Sequence, residues 1–215
     1  MLDHVNFRPW VGKDYHSGGI LNQKVLILGE SHYCSWLKEG GNCYPICTKD
    51  KMYDECFSLT GDVVNNYIHN YSGKPSEHTY LCFEKALFGR DICQEERELL
   101  WNSIIFYNFF QYAQSGPRKP LEQKEDSSLA FKEMLETYSP DRIIIWGKRL
   151  YNSMPNWHGR SETVEINGYS LPVWVYPIKG KESPGMCVPH PSCPVGKKWQ
   201  FWHPFYSKFL GIDLY

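Results

Sequence analysis

The sequence has no apolar run approaching the roughly 20 residues needed to cross a bilayer. Its start, MLDHVNFRPW, lacks the basic and apolar regions of a secretory signal. These absences predict a cytoplasmic chain with no membrane partner. Neither sign of charge dominates, since 23 Lys and Arg stand against 24 Asp and Glu for a net charge of −1. That balance excludes a globally basic nucleic-acid binder, so any nucleic-acid surface must be local. No repeat, low-complexity tract or linker divides the 215 residues, which predicts a single α/β domain over 1–215 with ample core. There is also no Cys-x-x-Cys pair among the eight cysteines. Cys34, Cys43, Cys47 and Cys56 share one window, and four thiolates there could hold zinc or an iron–sulfur cluster. Their spacing argues against it, and free thiols with no metal and no cofactor are expected.

Aromatic residues, by contrast, are abundant at 16%, with eight Trp and fifteen Tyr; most must fill core and some can line a groove. The stretch that organises the chain is KVLILGESHY, residues 24–33. Four apolar residues run without interruption to Gly29, and a polar cluster of Glu30, Ser31, His32 and Tyr33 follows at once. So short and apolar a run reads as a strand buried on both faces. In open α/β sheets, ligands sit beyond the carboxyl ends of such strands. The long loop-like region that follows, 34–50, is of a kind more often functional than accidental.

Further strands are expected at 103–110 and 142–146. A hairpin pairs 163–166 with 172–178 around Asn167-Gly168, and 186–189 is short and extended. Helical spacing marks a stretch within 50–71, then 79–88, 90–102, 127–137, 148–154 and 197–210. Asp126, Ser127 or Ser128 is the expected N-cap of the 127–137 helix. Alternating strands and helices predict a three-layer α/β/α sandwich with a mainly parallel central sheet of about four strands.

Four pieces fall in order on these elements: Gly29-Glu30-Ser31-His32-Tyr33 after the first strand, Asn108 near the end of the second, Trp146-Gly147 after the third, and His190-Pro191-Ser192 late in the chain. This order resembles the uracil-DNA glycosylase superfamily across about residues 24–210. Members of that family carry a first motif opening Gly-Gln-Asp or Gly-Glu, an Asn on a middle strand that reads the base, and a late His-Pro-Ser that opens a loop entering the minor groove. The resemblance implies a DNA glycosylase that leaves an abasic site, working as a monomer on duplex or single-stranded DNA.

The residue types suit that chemistry. A stacked base must first be flipped into a pocket. Breaking its N-glycosidic bond then gives an oxocarbenium-like sugar, which a carboxylate can stabilise, and an anionic base, which a hydrogen-bond donor can stabilise. By resemblance, the catalytic residues are Glu30, which positions water or balances the sugar cation, His190, which donates to the leaving base, and Asn108, which reads its edge. Tyr33 forms a pocket wall, Ser31 and Ser192 hold flanking phosphates, and Gly29 and His32 complete the substrate site. Val195, with Trp199 second, is the apolar wedge. Lys197 and Lys198 contact phosphates, and Arg118, Lys119, Lys179 and Lys181 are candidates to extend that patch.

The chain departs from the family pattern at two places. Ser31 stands where some members have the catalytic Asp, which leaves Glu30 as the acidic group, and His32 replaces the Pro of the first motif. These changes point to a modified or bulkier base, and so to base-excision repair or to anti-phage defence against hypermodified genomes. Each residue also admits an ordinary role: Glu30 as a surface carboxylate, His190 as a loop residue bonded to backbone, Asn108 as a strand terminator, and the rings as core. A non-catalytic nucleic-acid binding protein of the same fold and a small-molecule esterase-like hydrolase are the alternatives.

Overall fold

The computed structural model describes residues 2–33, 54–113, 124–193 and 196–212. Cys34, Cys43, Cys47, Arg118, Lys119 and Val195 therefore lie outside the described residues. The elements in order are β1 (Trp10–Val11), β2 (Val25–Gly29), α1 (Asp54–His69), α2 (His78–Phe88), α3 (Gln94–Asn102), β3 (Ile104–Asn108), α4 (Lys124–Tyr138), β4 (Arg142–Trp146), α5 (Lys148–Tyr151), β5 (Arg160–Ile166), β6 (Tyr169–Ile178), β7 (Lys181–Val188) and α6 (Trp199–Leu210).

The α/β class holds, but the sheet has seven strands and is mixed, where about four mainly parallel strands were expected. Its order is β1-β3-β2-β4-β7-β6-β5. The pairs β3·β2, β2·β4 and β4·β7 are parallel, and β1·β3, β6·β7 and β5·β6 are antiparallel. β1 escapes sequence reading because two residues carry no period. The end of β7 matches the extended stretch expected at 186–189, and its first half escapes because Pro184 and Gly185 interrupt it and charged residues open it. The structure accommodates both interruptions. The parallel ladder with β4 begins only at Gly185, opposite Ile143, so the missing N–H of Pro184 falls before it. A Cβ on Gly185 would lie 3.0 Å from Ile145 Cδ1, so a larger residue there would push the tip of the Ile145 side chain aside.

Side chains alternate across the central strands, as the pleat requires. Val25, Ile27, Ile104, Phe106, Ile144, Trp146, Met186 and Val188 point to one face, under α1, α2, α3 and α6. Leu26, Leu28, Ile105, Tyr107, Ile143 and Ile145 point to the other, under α4 and α5. Covering both faces explains why 25–28 reads as an unbroken apolar run. Each aliphatic side chain so buried contributes about 1.5–3 kcal/mol. Among the polar side chains in the core, Glu84 accepts from Trp101 Nε1 at 2.8 Å and pairs with Arg97 at 3.1 Å. The Arg97 guanidinium lies over the Tyr67 and Tyr71 rings.

Several helix boundaries differ from expectation. α3 starts at Gln94 rather than 90. α4 starts at Lys124, which puts Asp126, Ser127 and Ser128 inside the helix rather than at its cap; Ser127 Oγ instead accepts from the Gln111 amide at 3.2 Å. α5 ends at Tyr151, short of 154. α6 starts at Trp199 rather than 197, with Lys198 as N-cap.

Candidate active site at the carboxyl ends of the strands

Register brings three of the four sequence pieces to one line. Gly29 pairs with Asn108, Leu28 with Ile145 and Trp146 with Val188. The last residues of β3, β2, β4 and β7 therefore end side by side, and the chain leaves β2 into Glu30–Tyr33 and β7 into His190–Ser192. Gly29 is dictated by this crowding, since a Cβ there would come within 2.4 Å of Asn108 Oδ1 and 3.0 Å of the Phe106 ring. The β2–β3 register continues past the strands, because the amides of Phe109 and Phe110 donate to the carbonyls of Gly29 and Glu30 at 3.0 and 2.9 Å. The first turn of the motif loop is thus fixed by backbone.

Glu30 is only 13% exposed and its carboxylate is held from two directions. Arg149, in α5, donates to it through Nε at 2.8 Å and through Nη2, a forked arrangement. The Tyr33 hydroxyl donates to Oε1 at 3.0 Å. The bond to Glu30 raises the pKa of Arg149 above its ordinary value. Tyr33 is raised by burial, with the Glu30 charge adding and the Ser31 hydroxyl opposing. Ser31 Oγ is buried and, among the described residues, makes no hydrogen bond of normal geometry, although it lies near enough to Tyr33 to favour the phenolate.

His32 turns inward. Its ring packs on Phe7 at 4.7 Å, and its Nε2 meets Asn108 Nδ2 at 3.0 Å and Thr60 Oγ1 at 2.8 Å. An amide nitrogen only donates, so Nε2 accepts and the neutral ring carries its proton on Nδ1. Burial lowers the His32 pKa to about 4. Asn108 is 6% exposed, and its amide nitrogen faces His32. Within this geometry His32 braces Asn108 from behind.

His190 carries its proton on the other nitrogen. The Ser192 amide donates to Nδ1 at 3.3 Å and the Ser192 hydroxyl lies 2.8 Å from the same atom. Nδ1 is therefore an acceptor, and the neutral ring keeps its proton on Nε2. Burial lowers the His190 pKa, the Glu30 charge opposes that shift and Arg149 adds to it, so His190, Glu30 and Arg149 share one electrostatic neighbourhood. The Trp146 ring stands edge-on to the imidazole with centroids 6.3 Å apart.

The other sequence candidates are placed differently. Ser192 fixes the ring of His190. Trp199 is tucked in with Trp202, Pro189 and Pro191 around a small pocket, not extended as a wedge. The Lys197 ammonium sits over the rings of Tyr169 and Phe201, and Lys198 is exposed. Lys179 and Lys181 do not extend the patch, because they pair with Glu136 and Asp141. Cys56 is buried against Phe7 and Leu59. Among the described residues no group of three or more His, Cys, Asp or Glu could hold a metal ion, and no helix is long and apolar enough to cross a membrane. Sequence reading missed Arg149 and Thr60. Arg149 had one signal, its place just after the Trp146-Gly147 strand end; Thr60 had none.

No protein-family model matches the chain, and no curated protein is similar to it. The resemblance to the glycosylase superfamily therefore rests on the motifs and on where they sit.

Proposed function

We propose that the chain is a DNA glycosylase that hydrolyses the N-glycosidic bond of a flipped-out uracil-like or modified pyrimidine and leaves an abasic site. The observation that carries this reading is the meeting, at adjoining strand ends, of an oriented carboxylate (Glu30), a buried amide (Asn108) and a neutral imidazole with its proton on Nε2 (His190). In the reaction, the C1′–N bond breaks with its electron pair passing to the base. The His190 Nε2–H donates a hydrogen bond to the base oxygen on which that charge gathers. Glu30 faces the cationic sugar and orients the water that adds to C1′. The proton lost by that water leaves through Glu30 or solvent, and the base departs protonated from solvent. Tied to Arg149, Glu30 acts by position and charge. Asn108, braced by His32, would select the base edge.

The same Arg149–Glu30 pairing favours a second reading. A carboxylate already matched by a guanidinium is a weaker partner for a sugar cation, as befits a nucleic-acid binding protein that has lost the chemistry. One experiment separates the two: incubation with oligonucleotides carrying uracil, hypoxanthine, and hydroxymethylated or glucosylated cytosine, followed by alkali. The glycosylase reading expects cleavage on at least one base, abolished in Glu30→Gln and lowered on the order of 10²–10³-fold in His190→Ala. DNA binding with no abasic product on any base would support the second reading. Cleavage unchanged in both variants would overturn the residue assignment.

A further inference from the structure

Beyond the strand ends, the β5–β6 turn and the start of α6 form a second feature. Asn167 and Gly168 both adopt left-handed backbone, with φ of +49° and +76°, the tight hairpin turn that Asn-Gly favours. The turn delivers Tyr169 to the surface, where it is 46% exposed. Its ring meets Phe201 of α6 edge-on with centroids 4.8 Å apart. The Lys197 ammonium lies 5.2 Å from the Tyr169 centroid, 4.9 Å from the Phe201 centroid and 3.4 Å from the Tyr169 hydroxyl. Such contacts hold an otherwise mobile cation in place. Among the described residues neither Lys197 nor Lys198 has a carboxylate within ion-pair distance, whereas Arg160, Lys179 and Lys181 in the β5–β7 meander each have at least one. The feature is continuous with the catalytic loop. Phe201 packs on Trp202 at 4.8 Å, and Trp202 and Trp199 line the pocket shared with Pro189 and Pro191, the residues on either side of His190.

We propose that Tyr169, Lys197 and Lys198 form a platform for unpaired DNA beside the flipped base, with Tyr169 stacking a base and the two lysines taking its flanking phosphates. The inference rests on the glycosylase reading for the position of the DNA, and it names the strand state that the site prefers. The Tyr169 ring is 46% exposed at a hairpin tip, with the Lys197 ammonium beside it. An unpaired base can pack on such a ring, whereas a duplex buries its base faces in the stack and presents only edges and phosphates. A cation held over the rings with no competing carboxylate suits a polyanion.

The test is fluorescence anisotropy with an unmodified oligo(dT) of about ten nucleotides and with a duplex of the same length, over a salt series. Tyr169→Ala is expected to weaken oligo(dT) binding about tenfold and duplex binding far less, while Tyr169→Phe keeps wild-type affinity. Lys198→Gln is expected to lower the salt slope by about one on both DNAs, and Lys132→Gln on α4 to change neither. Equal losses on the two DNAs, or no loss in Tyr169→Ala, would overturn the platform. The oligonucleotides contain no excisable base, so the two readings fail separately. Binding of this pattern without abasic product on any base would sink the glycosylase reading and leave the platform standing. Base excision with unaltered binding by Tyr169→Ala would do the reverse.

Discussion

Acid should destabilise this protein through His32, and by an amount the structure sets. Burial takes the imidazole from its ordinary 6.5 to about 4 in the folded chain. The folded pKa lies below the unfolded one, so between those values the unfolded chain binds a proton that the folded chain refuses. Stability is therefore full above about pH 6.5 and falls as pH drops toward 4. A gap of that size corresponds to roughly 3 kcal/mol from this one group. Protonation also sets an N–H at Nε2 against the Asn108 amide, 3.0 Å away, so the loss has a local structural origin. Urea unfolding at pH 7 and pH 4 should show the wild type losing roughly 3 kcal/mol more than His32→Gln, since the carboxylates titrate in both proteins and cancel in the difference. A direct check that needs no variant is the imidazole NMR titration, in which His32 should stay neutral to below pH 5. A His32 midpoint near 6.5, or equal acid losses in the two proteins, would refute the reasoning.

Three further outcomes are expected. Gly29→Ala drives a methyl into Asn108 Oδ1 and the Phe106 ring; thermal melting should show a loss of about 1–3 kcal/mol, with base excision reduced alongside, and an unchanged melting temperature would contradict the crowding. Arg97→Met strands Glu84, which is fully buried, and should cost about 3–5 kcal/mol by urea unfolding; adding Glu84→Gln, which keeps an acceptor for Trp101 Nε1, should restore a good part of it. Arg149→Met releases the Glu30 carboxylate from its fork and should slow base excision on the order of 10–100-fold with little change in substrate affinity. Arg149→Lys, with charge but no fork, should fall between, and full activity in Arg149→Met would show that Glu30 needs no tether.

The parts of the fold legible in the sequence are those where one local rule dominates. Residues 25–28 and 142–146 read as buried strands because helices cover both faces and polar residues are excluded. Asn167-Gly168 read as a hairpin because its backbone angles suit few other pairs. Of β7 only the end, within 186–189, was legible as extended; its first half was not, because its identity depends on pairing with β6 and not on its own pattern. At the site, the residues on the strand-end loops could be listed, but their partners could not. That Arg149 meets Glu30 follows from α5 beginning at the end of β4, the strand beside β2. That His32 faces inward to Asn108 follows from α1 supplying Thr60 and the N-terminal segment supplying Phe7. Lys197 reads as a phosphate contact from charge alone, and only the folded hairpin shows the two rings beneath it.

The placement of β7 bears on how the molecule assembles. β5, β6 and β7 form a continuous antiparallel meander whose pairings all lie close in sequence, while β2 must find β3 and β4 across much longer chain segments. Local pairings close small loops and form early, and distant ones wait. The meander should therefore gain protection from hydrogen exchange first in a pulse-labelling experiment, with the β2 amides following. On that order of events, the strand that launches His190 is in place before the strand that launches Glu30, and the two halves of the site meet only when the β4–β7 seam closes.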